Sequence, residues 1–191
     1  MMWFGAPALT GLCCLTLAGA AAAEPLTGKA AAKLMYPAEG SAVEMQSQEG
    51  LSAQDTAALT LVGTGQPYYG AIAISPAEGL MVEATVASVN YHDTDAAQAA
   101  ALKGCEAKRK GAVACQVVAL IRPEGWEARD LQLSADATAA LKAHYAAPGA
   151  LAISASTGLF GLAKGDAAGD AAVKACEDKA KAGDCTVVIA D

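Results

Sequence analysis

The sequence predicts an α+β fold of two pseudo-symmetric helix-strand-strand-helix-strand units that pack around a shared core, each with one internal disulfide. Three pairs of similar segments predict this. LSAQDTAAL from Leu51 matches LSADATAAL from Leu133, and GAIAIS from Gly70 matches GALAIS from Gly149. The third pair is CEAKRKGAVACQVVA and CEDKAKAGDCTVVIA. Because a unit of about 60 residues buries little surface alone, we expect the two to pair.

The first 23 residues predict a secretory signal peptide. Met1–Ala23 carries no charged residue, has an apolar middle and ends in small residues. Cleavage after Ala23 leaves residues 24–191, in which no apolar run is long enough to span a membrane. We therefore expect a periplasmic or secreted protein.

Charge bears on the kind of partner. The chain has 20 acidic and 13 basic residues, a net charge of −7. An acidic protein is a poor general binder of nucleic acid, so we expect a protein or small-molecule partner instead.

Residues 24–50 form an N-terminal extension with no counterpart in the second half. LTGKAAAKL predicts a short helix with Thr27 as N-cap, which ends before Pro37 because the residue preceding proline avoids helical angles. Residues 41–48 alternate weakly and predict an edge strand.

Repeat unit 1 (51–121) and repeat unit 2 (133–191) each begin with a leader helix, capped by Ser52 or Ser134. An apolar run, a glycine-containing turn of four residues and a second apolar run then predict a β-hairpin in each unit. The second run spans residues 80–89 in unit 1. A linker, residues 122–132, joins the units, and its Trp126 is expected to cover an apolar surface.

A long helix follows each hairpin, over about residues 95–110 and 166–181. Both end in basic residues followed by Gly111 or Gly183, which favours a left-handed glycine cap. The closing strands, residues 115–121 and 185–189, are continuous apolar runs that predict central positions in a sheet.

Four cysteines remain after signal removal, and an even number in an oxidising compartment favours two disulfides. Of the three possible pairings, only Cys105–Cys115 and Cys176–Cys185 let each repeat unit close itself. A four-cysteine zinc site is the alternative, but its ligand pairs are normally two to four residues apart.

The segment YYGAIAISPAEG, the alanine-rich helix and the cysteine pair resemble a secreted bacterial domain of unknown function. The duplicated arrangement also resembles short exported proteins labelled "5-aminolevulinic acid synthase". The resemblance covers residues 51–191, and its motifs imply a hairpin, a helix and a disulfide rather than catalytic residues.

The synthase label implies condensation of glycine with succinyl-CoA, which uses pyridoxal phosphate on a lysine in a large cytoplasmic fold. An exported, disulfide-bonded chain of this size suits neither the substrate nor the cofactor. We interpret the label as a misnaming and expect no cofactor.

The segment from Ser88 to Asp95 occurs in unit 1 alone and holds most of the candidate site residues. His92, Asp93 and Asp95 are the candidates for a metal or acid/base site, while a polar loop with a helix cap is the better-supported interpretation. The other histidine, His144, is a further candidate only if the fold brings it near His92.

Three tyrosines are candidates for binding. Tyr68 and Tyr69 either line a groove for a partner or pack over the sheet edge, and Tyr91 accompanies the His92 segment. The sequence therefore favours a periplasmic binding or interaction module that is not an enzyme, with a small enzyme at the His92 segment as the alternative.

Overall fold

A computed structural model describes the fold over Met1, residues 24–46 and residues 51–191. The predicted signal peptide, apart from Met1, lies outside these residues and stays a prediction. Helices and antiparallel sheets make up the described part, which confirms the predicted α+β class. Within this part, none of the helices has the length and apolar character needed to cross a membrane.

Residues 24–46, the described part of the N-terminal extension, contain one helix and one strand, as predicted. Helix α1 spans Gly28–Leu34, and the side chain of its N-cap Thr27 accepts a hydrogen bond from the amide of Ala30. Strand β1 spans Ser41–Met45 and lies at the edge of a sheet.

The order helix, strand, strand, helix, strand occurs twice after the extension. In the first unit the elements are α2 (Ala53–Thr64), β2 (Gly70–Ile74), β3 (Val86–Ser88), α3 (Thr94–Glu106) and β4 (Gln116–Pro123). In the second unit they are α4 (Ala135–His144), β5 (Gly149–Ser154), β6 (Phe160–Lys164), α5 (Ala168–Ala180) and β7 (Cys185–Ala190).

Each unit has its own antiparallel sheet. The strand order is β1-β4-β2-β3 in the first unit and β6-β5-β7 in the second. Strand β2 pairs with β3 and β4, and β5 pairs in the same way with β6 and β7. The segments GAIAI and GALAIS thus form equivalent interior strands.

Small and large side chains alternate along these interior strands, and each kind packs against a different helix. Ala71 and Ala73 of β2 pack with α3, whereas Ile72 and Ile74 pack with Leu59 of α2. The second unit repeats the pattern, with alanines toward α5 and Leu151 toward α4. Successive side chains of a strand point to opposite faces, so small residues let the long helix approach closely on one face only.

Gly161 of β6 also lies close against α5. A Cβ atom there would collide with the carbonyl oxygen of Ala172 and lie 2.6 Å from the nitrogen of Cys176, both in α5. We expect Gly161→Ala to lower the free energy of unfolding by about 1–3 kcal/mol, measured by urea denaturation. Gly169→Ala in the same helix is the control, because a Cβ there meets no atom within 4 Å. It should stabilise the protein slightly, and equal effects of the two changes would contradict this account.

The predicted central position of the closing strands is correct for β4 and wrong for β7. Strand β7 is an edge strand, and among the described residues its outer side meets an isolated bridge to Leu26. Its apolar sequence has another cause: residues of β7 pack in the α4 cluster on one face and in the α5 cluster on the other. A continuous apolar run therefore indicates that helices pack on both faces of the strand. It does not indicate that the strand is central in the sheet.

Two boundaries in the first unit also differ from prediction. The second hairpin strand covers only Val86–Ser88, which pair with Ala71–Ala73 of β2. In the turn before it, Glu78 accepts hydrogen bonds from Ser75 Oγ and the amides of Lys110 and Gly111. Strand β4 continues into the predicted linker as far as Pro123, where it pairs with Ser41 of β1.

The predicted glycine caps of the long helices are wrong. Helix α3 ends with Ala107 at ordinary right-handed angles, and α5 ends with Lys181 as the left-handed residue, at φ +54°. Glycine takes positive φ only two residues later, at Gly183. The turn is set instead by the cysteine loops that follow each helix.

Both predicted disulfides are present, Cys105–Cys115 and Cys176–Cys185. The sulfurs bond to each other, so the zinc alternative is wrong. The glutamate after each first cysteine adds a second tie: Oε1 of Glu106 accepts a hydrogen bond from the amide of Cys115 at 2.7 Å, and Glu177 does the same for Cys185. The Cys-Glu pair occurs in both units, so the sequence contained a signal for this second tie.

The larger apolar clusters each centre on one unit, to which the extension and the linker add residues such as Ala31 and Leu131, and a further cluster joins the units. It contains Tyr68 and Tyr69 from the first unit and Ala135 from the second, with Tyr36 and Trp126 packed against it. Trp126 thus covers an apolar surface, as expected, and the Arg122 guanidinium lies 4.1 Å from the centre of its ring.

Candidate functional site

His92 lies buried between the two units, with 3% of its surface exposed. The amide of Ser134, the N-cap of α4, donates to His92 Nδ1 at 3.0 Å, and Nε2 lies 3.2 Å from the carbonyl oxygen of Leu159. Because Nδ1 accepts, the proton of the neutral ring sits on Nε2 and is donated to Leu159. The imidazole therefore links the first unit to two segments of the second.

Burial lowers the pKa of His92 below its ordinary value, since the charged ring would lose its hydration. The Leu159 carbonyl and the carboxylates of Asp93 and Asp184 oppose this shift without reversing it. The ring is therefore neutral at neutral pH, which its contact with the Ser134 amide requires.

The residues around His92 reinforce the same contact. Asn90, at φ +64°, donates from Nδ2 to the Asp136 carboxylate at 2.7 Å and accepts from the Asp136 amide. At Gly158, in the turn between β5 and β6, a Cβ atom would lie 2.6 Å from Cα of Tyr91. The segment that is unique to the first unit is therefore the one that docks on the second.

Asp93 and Asp95 serve the start of α3. Asp93 is the N-cap and accepts from the amide of Ala96 at 2.7 Å, and Asp95 accepts from the side chain of Gln98. This is the geometry of the loop-and-cap interpretation. A metal or acid/base role for His92 finds no support here, because hydrogen bonds occupy both nitrogens of the ring.

His144 does not join His92. It is the last residue of α4, whereas His92 contacts the N-cap of that helix. A helix rises 1.5 Å per residue, so α4 separates the two histidines by about 15 Å. The sequence left this distance open, and the fold rules out a two-histidine site.

Tyr68 and Tyr69 are each 1% exposed and meet edge to face, with ring centres 5.3 Å apart. Burial raises the pKa of both phenols. Tyr91 is partly buried against the α3 cluster, and its amide donates to the carbonyl of Tyr69. The packing interpretation describes these rings, and a binding role for them stays a prediction.

A cleft of about 650 Å³ lies between α1 and α4. The extension contributes an apolar wall that includes Ala32, Met35, Tyr36 and Pro37. Arg129 stacks on Tyr36 at 3.5 Å from the ring centre, and its guanidinium donates to the carbonyl of Leu34, so this wall is held in place from behind.

The opposite wall is one face of α4. Thr138, Leu141, Lys142 and Tyr145 line it, at the spacing that places helical side chains on a common face. The Thr138 hydroxyl makes only long contacts, 3.5 Å to the Leu133 carbonyl and 3.7 Å to Met35 Sδ. Within the described residues, the Lys142 ammonium has neither a hydrogen bond nor an ion pair.

The end of the cleft is closed where α1 begins. A Cβ atom on Gly28 would collide with the Tyr145 ring, and the Asp191 carboxylate accepts hydrogen bonds from the Gly28 amide and the Tyr145 hydroxyl, at 2.8 and 2.9 Å. Burial and the Asp191 carboxylate raise the pKa of Tyr145 to about 12. The Tyr145 phenol is therefore an engaged donor, not a free one.

In the described part of the chain, one group of three side chains has the spacing of a metal site, namely Glu177, Asp184 and Cys185. Its groups are already engaged. The sulfur of Cys185 is in a disulfide, Glu177 accepts from the Gly183 and Cys185 amides, and Asp184 accepts from Ser154 Oγ and the Ser156 amide. These contacts hold the cysteine loop to the hairpin turn.

Sequence reasoning missed the cleft. The spacing of Thr138, Leu141, Lys142 and Tyr145 is visible in the sequence as a mixed face of a short helix. Nothing in the sequence showed that the extension lies across that face, because the extension has no counterpart in the second half.

The fold and the cleft define a class: a small disulfide-stabilised α+β protein of two like units, with an apolar cleft between its N-terminal extension and α4. A family model described as "Domain of unknown function (DUF4189)" matches residues 69–191. The chain belongs to this family, and the resemblance predicted from the hairpin, helix and cysteine pair is confirmed. Comparison of this chain with curated proteins and with solved structures found no match in either.

Proposed function

We propose that the chain is an exported binding module, with no enzymatic activity, that holds a small apolar ligand in the cleft between α1 and α4. The observation that carries the proposal is the cleft itself. Its volume, about 650 Å³, lies within the range of about 300–1,000 Å³ that is usual for small-molecule sites, and its walls are mainly apolar.

The remaining candidates favour a scaffold around this cleft. The hydrogen bonds of His92 serve the contact between units, Asp93 caps α3, and the two disulfides join the ends of α3 and α5 to the segments that follow them. Export supplies the oxidising compartment that these disulfides need.

Binding of N-phenyl-1-naphthylamine, a neutral apolar fluorophore, tests the proposal. We expect a saturable rise in its fluorescence with the wild-type protein. Ala32→Phe places an aromatic ring in the cleft from an exposed lining position and should weaken binding at least tenfold.

Ala143→Phe is the matched control, because Ala143 is exposed on α4 but does not line the cleft. It should bind as the wild type does. Equal binding by the wild type and Ala32→Phe would show that the fluorophore occupies another surface, and the proposal would then fail.

A further inference from the structure

We infer that the ligand of this cleft is an apolar carboxylate, whose charged group lies between Lys142 and Thr138 and whose body lies on Met35, Tyr36 and Leu141. The inference rests on the proposed function and adds the chemical class of the ligand. The ligand class is set by the two polar groups of the cleft that remain available to a ligand, those of Lys142 and Thr138.

Most polar groups of the cleft are already engaged. The Tyr145 hydroxyl donates to Asp191, and the Tyr36 hydroxyl donates to the carbonyl of Glu127 and accepts from its amide. What remains is a cation at the rim, Lys142, and a buried hydroxyl, Thr138, whose contacts of 3.5 and 3.7 Å are longer than ordinary hydrogen bonds. Both groups can donate, so the ligand must accept.

A third hydroxyl lies next to Thr138. The buried Tyr68 hydroxyl makes no hydrogen bond of ordinary geometry, but the Thr138 side chain is close enough to oppose the rise in the pKa of Tyr68 that burial causes. A threonine hydroxyl has one proton and two lone pairs, so Thr138 can accept from Tyr68 and still donate to a ligand.

The positions of the two donors fit a carboxylate. Thr138 and Lys142 are four residues apart on one face of α4, so their side chains are neighbours, about 5–6 Å apart at Cβ. A carboxylate has two oxygens, each with room to accept, and can meet the ammonium with one and the hydroxyl with the other. A neutral alcohol would leave the Lys142 charge unmatched.

Displacement of N-phenyl-1-naphthylamine by decanoate and by decanol at pH 8 tests the inference. The two molecules share their alkyl chain and differ in the charged group. We expect decanoate to displace the fluorophore at about tenfold lower concentration than decanol, because an ionised acceptor strengthens the hydrogen bonds.

Lys142→Met removes the charge from an exposed side chain. It should lower the affinity for decanoate about tenfold and leave the affinity for decanol unchanged. Thr138→Val should act in the same direction. Lys33→Met, at an exposed lysine of α1 outside the cleft, should change neither. Two results would overturn the carboxylate and leave the binding module in place, provided that the fluorophore binds the wild type. One is that decanol displaces the fluorophore at the same concentration as decanoate. The other is that Lys142→Met leaves the affinity for decanoate unchanged. If the fluorophore does not bind the wild type, both proposals are overturned.

Discussion

Reduction of both disulfides is expected to lower the free energy of unfolding by about 5–6 kcal/mol. The bridged cysteines are 10 and 9 residues apart, and loops of this length each contribute about 2.5–3 kcal/mol through the entropy of the unfolded chain. Since a whole domain is stable by only about 5–15 kcal/mol, the reduced protein should be marginal at 37 °C. Urea denaturation with and without a phosphine reductant measures the difference.

Paired alanine variants separate the two units. Cys105→Ala with Cys115→Ala, and Cys176→Ala with Cys185→Ala, should each lose about half of the total. The variant that lacks all four cysteines is the control, because the reductant should leave its stability unchanged. If reduction of the wild type cost less than about 1 kcal/mol, the glutamate ties of Glu106 and Glu177 would be the main fastening of the loops.

His92→Ala is expected to lower the free energy of unfolding by about 3–5 kcal/mol at pH 8. The change leaves the Ser134 amide without a partner, removes one hydrogen bond to the Leu159 carbonyl, which keeps the one from the Ser154 amide, and opens a cavity between the units. Urea denaturation measures the loss. The matched control is His144→Ala at the exposed end of α4, where we expect less than about 1 kcal/mol.

The same contact predicts a pH dependence. Burial lowers the pKa of His92 in the folded state, so the unfolded chain binds the proton more readily. The contribution of this group is complete above the unfolded value of about 6.5 and is lost as pH falls toward the folded value, by at most about 1.4 kcal/mol per pH unit. His92→Ala lacks this loss, so the difference in the free energy of unfolding between wild type and variant should become smaller from pH 7 to pH 5. A difference that stays constant over this range would contradict a neutral, buried His92.

Much of the fold could be predicted because local chemistry determines it. Ser52 and Ser134 cap their helices as predicted, Ser52 in a reciprocal capping box with Asp55. The like segments predicted like elements, and the cysteine pairing followed from the requirement that each unit close itself. These predictions depend on residues that are near one another in the chain.

The predictions that failed concern non-local contacts. The apolar run of β7 predicted a central strand, yet it reflects helices on both faces of an edge strand. Basic residues before Gly111 and Gly183 predicted glycine caps, whereas the following loops, tied by a disulfide and a glutamate, determine the helix ends.

The sequence by itself determined the α+β class, the two like units, the capped starts of α1, α2 and α4, and the disulfides, because each depends on a short pattern. Only the tertiary structure decided what the unmatched segments do. The His92 segment, a candidate site by composition, became a buried contact between units once both ring nitrogens had partners in the second unit. The extension became one wall of a cleft because α1 lies across the face of α4 that carries Thr138 and Lys142. Both outcomes depend on distances between residues far apart in the chain, and no local pattern encodes those distances.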